Sequence, residues 1–425
     1  MINVYKNREI QGFLSKLEKR DVPNEAVEAS VKEIIEKVKS EGDSALRYYS
    51  KLFDKTELSS FLLSDEKREE IAKKTPKELM AVIDRSAENI KRFHEKQKRS
   101  GYEYNDGERV LGQRLLPIKR VGLYVPGGSA AYPSSVLMNA IPAKIAGVSE
   151  IIMVTPPKLD GINPAVIYAA NAVGIDKIYL VGGAQAVAAL AYGTESIPKA
   201  DLICGPGNLY VATAKKLLFG VVGIDMAAGP SEVVIIADET ADPDYVIADL
   251  LAQAEHDVLA SSVLITDSEL LANSVTEKIT EVIENSERKD IIKKSICEYG
   301  AVLITESLKH SFELANRIAP EHLEIMTEKP EEKLSLVENA GAVFLGAYAP
   351  EVLGDYMAGP NHVLPTNSTA RFFSGLGVDT FMRRQNYIIG SKKSFEKDLA
   401  DIEKFASSEG LCSHAASATV RRKKM

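Results

Sequence analysis

The sequence predicts an α/β protein with two parallel β-sheets, each covered by helices on both faces. From about residue 118, short runs rich in β-branched residues recur every ~25 residues, and each is followed by a Gly/Pro turn and an Ala-rich helical stretch. Strands that alternate with helices in this way form parallel sheets, because each helix returns the chain to the edge where the next strand starts. The 425 residues give enough length for two or three domains.

The strand-like runs fall into two series, which predict two α/β domains. The first series lies at residues 121–125, 150–154, 177–181, 201–204 and 231–236, and the second at 262–266, 301–305 and 342–345. The first ~120 residues predict amphipathic helices instead, for example at 26–40 and 76–98. After about residue 377 the strand pattern stops. One or two helices with charged faces are expected there, docked on the main body or on a second subunit.

Composition excludes several classes of protein. With 45% hydrophobic and 26% charged residues the chain is typical of globular proteins, and a net charge of −8 argues against a dedicated nucleic-acid binder. The basic tail at 421–424 is interpreted as a solvated end. Three widely spaced cysteines fit a reducing compartment. Because we find neither a signal peptide nor an apolar run of about 18 residues, we expect a cytoplasmic protein without a membrane span.

Four of the six histidines lie in short segments dense in carboxylates and carboxamides, at residues 253–256, 320–322, 354–362 and 409–414. Such groups are typical of a metal site or a proton relay. The helical pattern at 243–256 places Gln253 and His256 on one helix face, where two ligand atoms can reach one cation. A glutamine oxygen is an unusual zinc ligand, so a capped or solvated helix end is an alternative for this pair. His94 has no such neighbours and is interpreted as a surface residue.

Glycine turns follow several of the predicted strands and share the carboxyl edge of the first sheet, where open α/β sheets bind ligands. They are Pro126-Gly127-Gly128-Ser129, Gly182-Gly183-Ala184-Gln185, Gly205-Pro206-Gly207-Asn208 and Gly229-Pro230-Ser231. The domains are therefore Rossmann-like, but the sequence has no complete GxGxxG with a downstream ribose-binding acid and no GxxxxGK[ST] phosphate loop. The turns are either nucleotide contacts or plain strand-to-helix connections.

Taken together, seven ordered motifs resemble the histidinol dehydrogenase family. They are Val125-Pro126-Gly127-Gly128, Val181-Gly182-Gly183-Ala184-Gln185-Ala186, Cys204-Gly205-Pro206-Gly207-Asn208, Ala228-Gly229-Pro230-Ser231-Glu232, Gln253-Ala254-Glu255-His256, Ala319-Pro320-Glu321-His322-Leu323 and Gly359-Pro360-Asn361-His362-Val363-Leu364-Pro365. The resemblance implies oxidation of L-histidinol through L-histidinaldehyde to L-histidine, the final steps of L-histidine biosynthesis. It also implies two NAD⁺ reduced, one Zn²⁺ per subunit and a homodimer with shared active sites.

The resemblance also implies the roles of individual residues. Zinc ligands would be Gln253, His256, Asp355 and His414, the last supplied by the partner chain. Glu321 and His322 would be the acid–base residues, with His322 accepting the alcohol proton and Glu321 activating water. NAD contacts would be Tyr124, Gln185 and Asn208. The substrate contacts would be Ser231, Gln253, His256, His322, Glu351, Asp355, His362, Glu409 and His414.

From these observations we predict five segments along the chain. They are an N-terminal helical segment at 1–20, the first part of a large α/β domain at 21–123, an NAD-binding domain at 124–230, the second part of the large domain with the zinc and catalytic residues at 231–376, and a C-terminal helical segment reaching the partner subunit at 377–425.

Two other functions are compatible with the same residues. A zinc hydrolase would use Glu321 to activate water on an amide or ester, but it leaves the glycine turns unexplained. A metal-stabilised binding protein would hold a ligand without chemistry. At Pro320 and Glu321, the start of a helix is an alternative structural interpretation that is compatible with catalysis.

Overall fold

The computed structural model describes residues 1–20, 25–127, 132–158, 161–227 and 229–422. They form two compact units, the first of Met1–Gln97 with Ile118–Phe381 and the second of Lys98–Pro117 with Met382–Met425. Gly128, Ser129 and Ala228 of the predicted glycine turns lie outside the described residues, as do Lys423 and Lys424 of the basic tail.

The strands are, in chain order, β1 (Asn3–Lys6), β2 (Tyr102–Asn105), β3 (Arg109–Pro117), β4 (Arg120–Tyr124), β5 (Glu150–Thr155), β6 (Lys177–Leu180), β7 (Leu202–Cys204), β8 (Gly223–Ile224), β9 (Glu232–Ala237), β10 (Ser261–Thr266), β11 (Ala301–Ile304), β12 (His322–Met326), β13 (Ala342–Leu345) and β14 (Met382–Gly390).

The α-helices are α1 (Arg8–Glu18), α2 (Glu25–Glu41), α3 (Asp43–Tyr49), α4 (Asp65–Ala72), α5 (Lys77–Glu95), α6 (Pro133–Ala146), α7 (Pro164–Ala172), α8 (Gly183–Tyr192), α9 (Leu209–Leu218), α10 (Pro243–Ala254), α11 (Glu269–Glu284), α12 (Lys289–Tyr299), α13 (Leu308–Ile318), α14 (Glu351–Tyr356), α15 (Lys392–Ser408) and α16 (Cys412–Arg422). A π-helix follows α3 at Ser50–Asp54, and short 3-10 helices lie at Pro330–Leu336, Thr369–Arg371 and Val378–Phe381.

The larger sheet of the first unit has six parallel strands in the order β1-β11-β10-β9-β12-β13. Along β9, Val233 and Ile235 pack against α10, α11 and α12, whereas Val234 and Ile236 pack against α1 and α13. Successive strand residues face opposite sides of a sheet, so both faces are covered by helices. Burial on both faces explains why the sequences of these strands are almost continuously apolar.

The smaller parallel sheet of the first unit has the order β6-β5-β4-β7-β8. The chain runs outward from β4 through β5 to β6 and then returns to β7 on the other side of β4. The strand order therefore reverses between β4 and β7, and the carboxyl ends of strands at such a reversal are the position where open α/β sheets bind ligands. Helices α2 and α3 pack on this sheet, where Val31 and Leu46 share a core with Val187 and Ile203.

The second unit contains an antiparallel sheet in the order β14-β3-β2. Strand β14 pairs with β3 along its whole length, from Met382 opposite Pro117 to Gly390 opposite Arg109. Helix α15 begins with a capping box at Ser391, and Thr419 of α16 donates a hydrogen bond to Glu403 of α15 at 2.6 Å. A hairpin and two helices therefore make up this unit.

The predicted α/β fold class, with two parallel sheets, is confirmed, and the division into domains stays a prediction. Three local expectations were wrong. The chain after residue 377 contains strand β14, whose nearly full exposure removes the apolar alternation that marks a strand. Residues 322–326 form strand β12, so the helix start considered at Pro320 is not formed. His94 is fully buried and is not a surface residue.

Among the residues that the structure describes, none of the helices combines the length and the apolar character that crossing a membrane would require.

Candidate metal centre and acid–base pair

Helix α10 carries Gln253 and leads to His256. The helix is capped by the side chain of Asp242 and has Pro243 in its first turn, both favourable signals for a helix start. It ends at Ala254, and the backbone N–H of His256 donates to the Gln253 carbonyl at 3.2 Å. Gln253 is fully buried, whereas His256 is exposed. The predicted pair thus lies at the end of a packed helix.

Helix α14 presents two carboxylates. Glu351 is its first residue and Asp355 lies four residues later, so the two share one helix face. The Glu351 N–H donates to the Glu324 carboxylate at 2.6 Å, which fixes the start of the helix to β12. A Cβ on Gly354 would lie 2.6 Å from a ring carbon of Phe344, so glycine permits the close approach of this helix to β13.

His256, Glu351 and Asp355 form a cluster of possible metal ligands, in which one ligand atom of each lies within 4.8 Å of the others. Burial raises the pKa of Glu351 well above its ordinary value, with repulsion from Asp355 adding to the effect. Burial also raises the pKa of Asp355 to about 7. Neighbouring buried carboxylates need protons or a cation to offset their repulsion. Nitrogen and oxygen donors at this spacing therefore fit a divalent cation such as zinc.

Gln253 joins this cluster through Glu351. With the Gln253 amide nitrogen oriented toward Glu351, it lies 3.1 Å from both carboxylate oxygens. An amide in this orientation donates to the carboxylate and keeps its oxygen as a possible metal ligand. The structure therefore brings Gln253, His256 and Asp355 together, as expected, and adds Glu351, which the resemblance assigned to the substrate alone.

His322 begins β12 and is buried. Its Nδ1 lies 3.1 Å from the Glu232 carbonyl oxygen, so Nδ1 carries the proton and donates. Its Nε2 is then unprotonated, and it is buried without a hydrogen-bond partner among the described residues. Burial lowers the pKa of His322 to about 3, which keeps the ring neutral at neutral pH. A neutral imidazole nitrogen of this kind can accept a proton.

Glu321 is anchored to the same residue as His322. Its Oε2 accepts a hydrogen bond from the Glu232 N–H at 3.1 Å and lies 3.9 Å from His322 Nδ1. Because Glu321 precedes the regular strand, the usual opposite orientation of neighbouring strand side chains does not apply to this pair. His322 Nδ1 also lies 3.7 Å from Glu351 Oε1. The predicted acid–base pair is thus adjacent to the metal cluster.

Arg20 forms a buried ion pair with Glu232, the residue whose backbone contacts both Glu321 and His322. Arg20 also donates to the Pro230 carbonyl at 3.2 Å and to Asn367 Oδ1 at 3.0 Å. Burial raises the pKa of Glu232, and the Arg20 charge opposes that shift. Sequence reasoning missed this pair. A glutamate opening an otherwise apolar strand was the available signal, but nothing local points to a partner 212 residues away.

His362 and Ser231, both predicted substrate contacts, flank this centre. His362 Nδ1 donates to the Asp355 carbonyl at 3.1 Å, and Ser135 Oγ lies 3.4 Å from its Nε2. Burial lowers the pKa of His362 to about 4, so this ring is also neutral. Ser231 directly precedes β9, and its carbonyl accepts a hydrogen bond from Ser261 at 3.0 Å.

The predicted NAD contacts lie at the carboxyl edge of the five-stranded sheet. Tyr124 ends β4, and its hydroxyl accepts a hydrogen bond from the Gly183 N–H at 3.1 Å. Gln185 is buried in the first turn of α8, and Asn208 caps α9. Gly205 has a φ of +109°, and a Cβ there would collide with the Tyr124 carbonyl oxygen. Glycine at this position therefore permits close packing of the turn after β7 on the end of β4, at the reversal of strand order where open α/β sheets bind ligands.

Glu409 and His414 belong to the second unit. Glu409 follows the last turn of α15, His414 lies in the first turn of α16, and both are exposed. Their predicted roles in a shared site concern a partner chain and stay predictions.

The histidinol dehydrogenase family model matches residues 17–422. The chain is 52% identical over 399 residues to the histidinol dehydrogenase of Streptococcus mutans, covering 94% of this chain and 93% of that one. It is 48% identical over 413 residues to the Clostridium acetobutylicum enzyme, covering 97% and 96%. The crystal structure of histidinol dehydrogenase from Elizabethkingia anophelis superposes with a TM-score of 0.93 at 37% identity, covering 100% of this chain and 98% of that one.

The fold and the site define an α/β protein with a cluster of possible metal ligands next to a histidine–glutamate pair. The chain belongs to the histidinol dehydrogenase family, a family of oxidoreductases. A betaine aldehyde dehydrogenase of Staphylococcus aureus, with a TM-score of 0.51 at 14% identity, shares the fold alone.

Proposed function

We propose that this protein is a zinc-dependent histidinol dehydrogenase of L-histidine biosynthesis, which oxidises L-histidinol through L-histidinaldehyde to L-histidine while two NAD⁺ are reduced. The family supports the substrate. The observation that carries the chemistry is the cluster of His256, Glu351 and Asp355 beside the unpartnered Nε2 of His322.

Gln253, His256 and Asp355 would hold the zinc, together with His414 of the partner subunit in a homodimer. When bound, the zinc would supply a Lewis acid with room for nitrogen donors of the substrate. The buried carboxylate of Glu351 could accept a hydrogen bond from the amino group of histidinol. His362 and Ser231 would complete the contacts from the same chain, and Glu409 would add a further carboxylate.

His322 would act in the first oxidation. Its Nδ1 is fixed as a donor to Glu232, so Nε2 can only accept a proton. Loss of hydride from an alcohol carbon needs a base for the hydroxyl proton, and a positioned imidazole supplies one.

Glu321 would act in the second oxidation, where water must add to the aldehyde before a second hydride can leave. Burial raises the pKa of Glu321 well above its ordinary value, so its carboxylate is a stronger base than an exposed one. Two adjacent residues thus provide the two proton acceptors that two successive oxidations require.

Tyr124, Gln185 and Asn208 would bind NAD⁺ at the glycine turns. When bound, NAD⁺ would accept one hydride in each oxidation. A site without GxGxxG fits a weakly held cofactor, which can leave after the first step while the aldehyde stays bound.

The test is the number of NADH formed per histidinol consumed, measured before chelation, after chelation and after return of zinc. We expect two NADH per histidinol, lost with the chelator and restored by zinc. One NADH per histidinol would contradict the second oxidation. No NADH from protein that retains bound zinc would contradict the dehydrogenase and favour hydrolysis or plain binding.

A further inference from the structure

The segment that follows α3 carries side-chain oxygens that have no hydrogen-bond partner among the described residues. Among these oxygens are Asp54 Oδ2 and Thr56 Oγ1, which are both buried. Lys55, between them, has a left-handed φ of 56°, and the Thr56 N–H donates to the Ser50 carbonyl at 3.3 Å. The tight turn places the carboxylate and the hydroxyl close together in the chain.

This turn lies next to the predicted cofactor site. Tyr49 and Phe61, which flank it, share an apolar core with Tyr124. The Phe61 carbonyl accepts a hydrogen bond from Leu180, at the carboxyl end of β6, at 2.7 Å. Burial raises the pKa of Tyr124 to about 12, and the negative charge of Asp54 contributes to this shift. Asp54 is therefore close enough to act electrostatically on a predicted NAD contact.

Among the residues that the structure describes, no neighbour offsets the negative charge of Asp54. Burial raises its pKa to about 6, and no cation or hydrogen bond opposes that shift. Although Oδ2 itself is buried, Asp54 as a whole is only partly buried, so its carboxylate lies near the protein surface and not deep in the core. Burial of a carboxylate without hydrogen-bond donors is energetically unfavourable, unless a bound ligand supplies those donors. Paired hydroxyl groups are suitable donors, because one carboxylate can accept a hydrogen bond from each.

We propose that Asp54 accepts hydrogen bonds from the adenosine ribose hydroxyls of the dinucleotide, beside Thr56, and that its charge disfavours a 2′-phosphate. This inference rests on the proposed use of NAD⁺. Dinucleotide folds with GxGxxG take the ribose-binding acid from about 20 residues after the glycines. Here the acid comes from a segment that precedes the first strand of the sheet, which explains why the usual pattern is missing.

The experiment compares NADH and NADPH binding to the purified full-length protein, titrated by nicotinamide fluorescence at a pH about two units above 6, so that Asp54 is ionised. The wild-type protein should bind NADH more tightly than NADPH. Asp54→Asn should weaken NADH binding on the order of tenfold, since it loses charge-assisted hydrogen bonds, while NADPH binding stays equal or improves.

Glu57→Gln is the matched control. It removes a negative charge from the same segment, but Glu57 is exposed and pairs with Lys51 at 2.5 Å. NADH binding to this variant should equal that of the wild-type protein. The KM for NAD⁺ should rise in Asp54→Asn, while the KM for histidinol stays unchanged.

Thermal unfolding separates ligand binding from a structural role. Without nucleotide, Asp54→Asn should melt no lower than the wild-type protein, because it removes an uncompensated buried charge. Unchanged NADH affinity in Asp54→Asn would overturn the inference. A lower melting temperature together with an equal loss of affinity for NADH and NADPH would also overturn it. Failure of the wild-type protein to bind either nucleotide would instead overturn the proposed function, and the inference with it.

Discussion

His322 and Glu321 are anchored to one residue, since the Glu232 carbonyl accepts from His322 and the Glu232 N–H donates to Glu321. This shared anchor fixes the imidazole tautomer and directs two chain neighbours into one site. Glu232 is itself held by the buried charge of Arg20. The orientation of the His322 and Glu321 side chains thus depends on the Arg20–Glu232 ion pair.

We expect His322→Gln to lower kcat by roughly 10²- to 10⁴-fold, because the amide can still donate to Glu232 but offers no basic nitrogen. Zinc content and melting temperature should change little. The measurement is initial NADH formation with zinc determined on the same sample. His310→Gln, at a partly exposed position of α13, is the control and should keep full activity. Normal turnover by His322→Gln would rule out this residue as the base.

His94 makes folding sensitive to acid. Its Nδ1 donates to the Ile90 carbonyl at 2.8 Å, and its Nε2 lies 3.3 Å from the Asn361 amide nitrogen, so the ring must accept there and be neutral. Burial lowers the pKa of His94 below its ordinary value of 6.5. In the unfolded chain His94 binds a proton near pH 6.5, whereas in the folded chain it stays neutral to a lower pH. The free energy of unfolding therefore decreases as the pH falls below this value.

His94→Gln should reduce this pH dependence, because its side chain does not titrate. The measurement is denaturant unfolding of the wild-type and variant proteins between pH 5 and 8. The free energy of unfolding should decline less steeply in the variant below about pH 6.5. His322 and His362 contribute with the same sign in both proteins, so only the difference between the two curves reports on His94. Parallel curves would contradict the assignment.

Single residues differ in how far the sequence can predict them. Gln253 and His256 were predictable as a pair, because both lie near the end of one strongly patterned helix. The placement of Glu351 in the metal cluster, the burial of His94 and the Arg20–Glu232 pair were not predictable. Each depends on contacts between distant parts of the chain, and such contacts leave no local pattern.

Helices α10 and α14 are joined through strand β12. Asp249 of α10 and Glu324 of β12 are neighbouring carboxyl groups; burial raises the pKa of both, and the negative charge of Asp249 adds to the shift of Glu324. Glu324 also accepts the hydrogen bond from the first N–H of α14 at 2.6 Å. The elements that carry Gln253 and Asp355 are thus connected by one buried side chain.

Replacing Glu324 should therefore loosen the metal centre. Glu324→Ala leaves the N–H of Glu351 without its acceptor, so we expect zinc affinity to fall roughly 10- to 100-fold. Glu324→Gln keeps an acceptor oxygen and should retain most of the affinity. Competition with a chelating dye measures both, and Glu328→Ala, at an exposed neighbouring position, is the control. Equal affinities in the alanine and glutamine variants would contradict this role.

Elements were predictable where burial leaves a periodic pattern. Most strands of the two parallel sheets are apolar runs, and these were expected within one or two residues, with glycine turns after β4, β6 and β7 as a further signal. Strand β12 was missed because Glu324 and His322 interrupt the apolar run, and because Pro320 resembles a helix start. Strands β2 and β14 were missed because they are largely exposed, and β3 because it is mostly half-buried and its apolar residues are interrupted by Gly112-Gln113-Arg114.

At the scale of the whole molecule, the donor cluster and the acid–base pair lie in the first unit, whereas His414 lies in the second. The order of motifs along the chain predicted the family, but one chain cannot complete the proposed ligand set if His414 comes from a partner. Assembly would then be a condition for catalysis, and subunit mixing can test it.

Two variants that are inactive as homodimers should regain catalytic activity when they are combined in one heterodimer. A heterodimer of a His414→Asn chain with a His322→Gln chain has one site with both histidines intact if His414 acts across the interface. If His414 acts within its own chain, neither site is intact. We therefore expect a heterodimer, purified with two different affinity tags, to have about half of wild-type activity, since one of its two sites works. Both homodimeric variants should be inactive, and an inactive heterodimer would exclude the shared site.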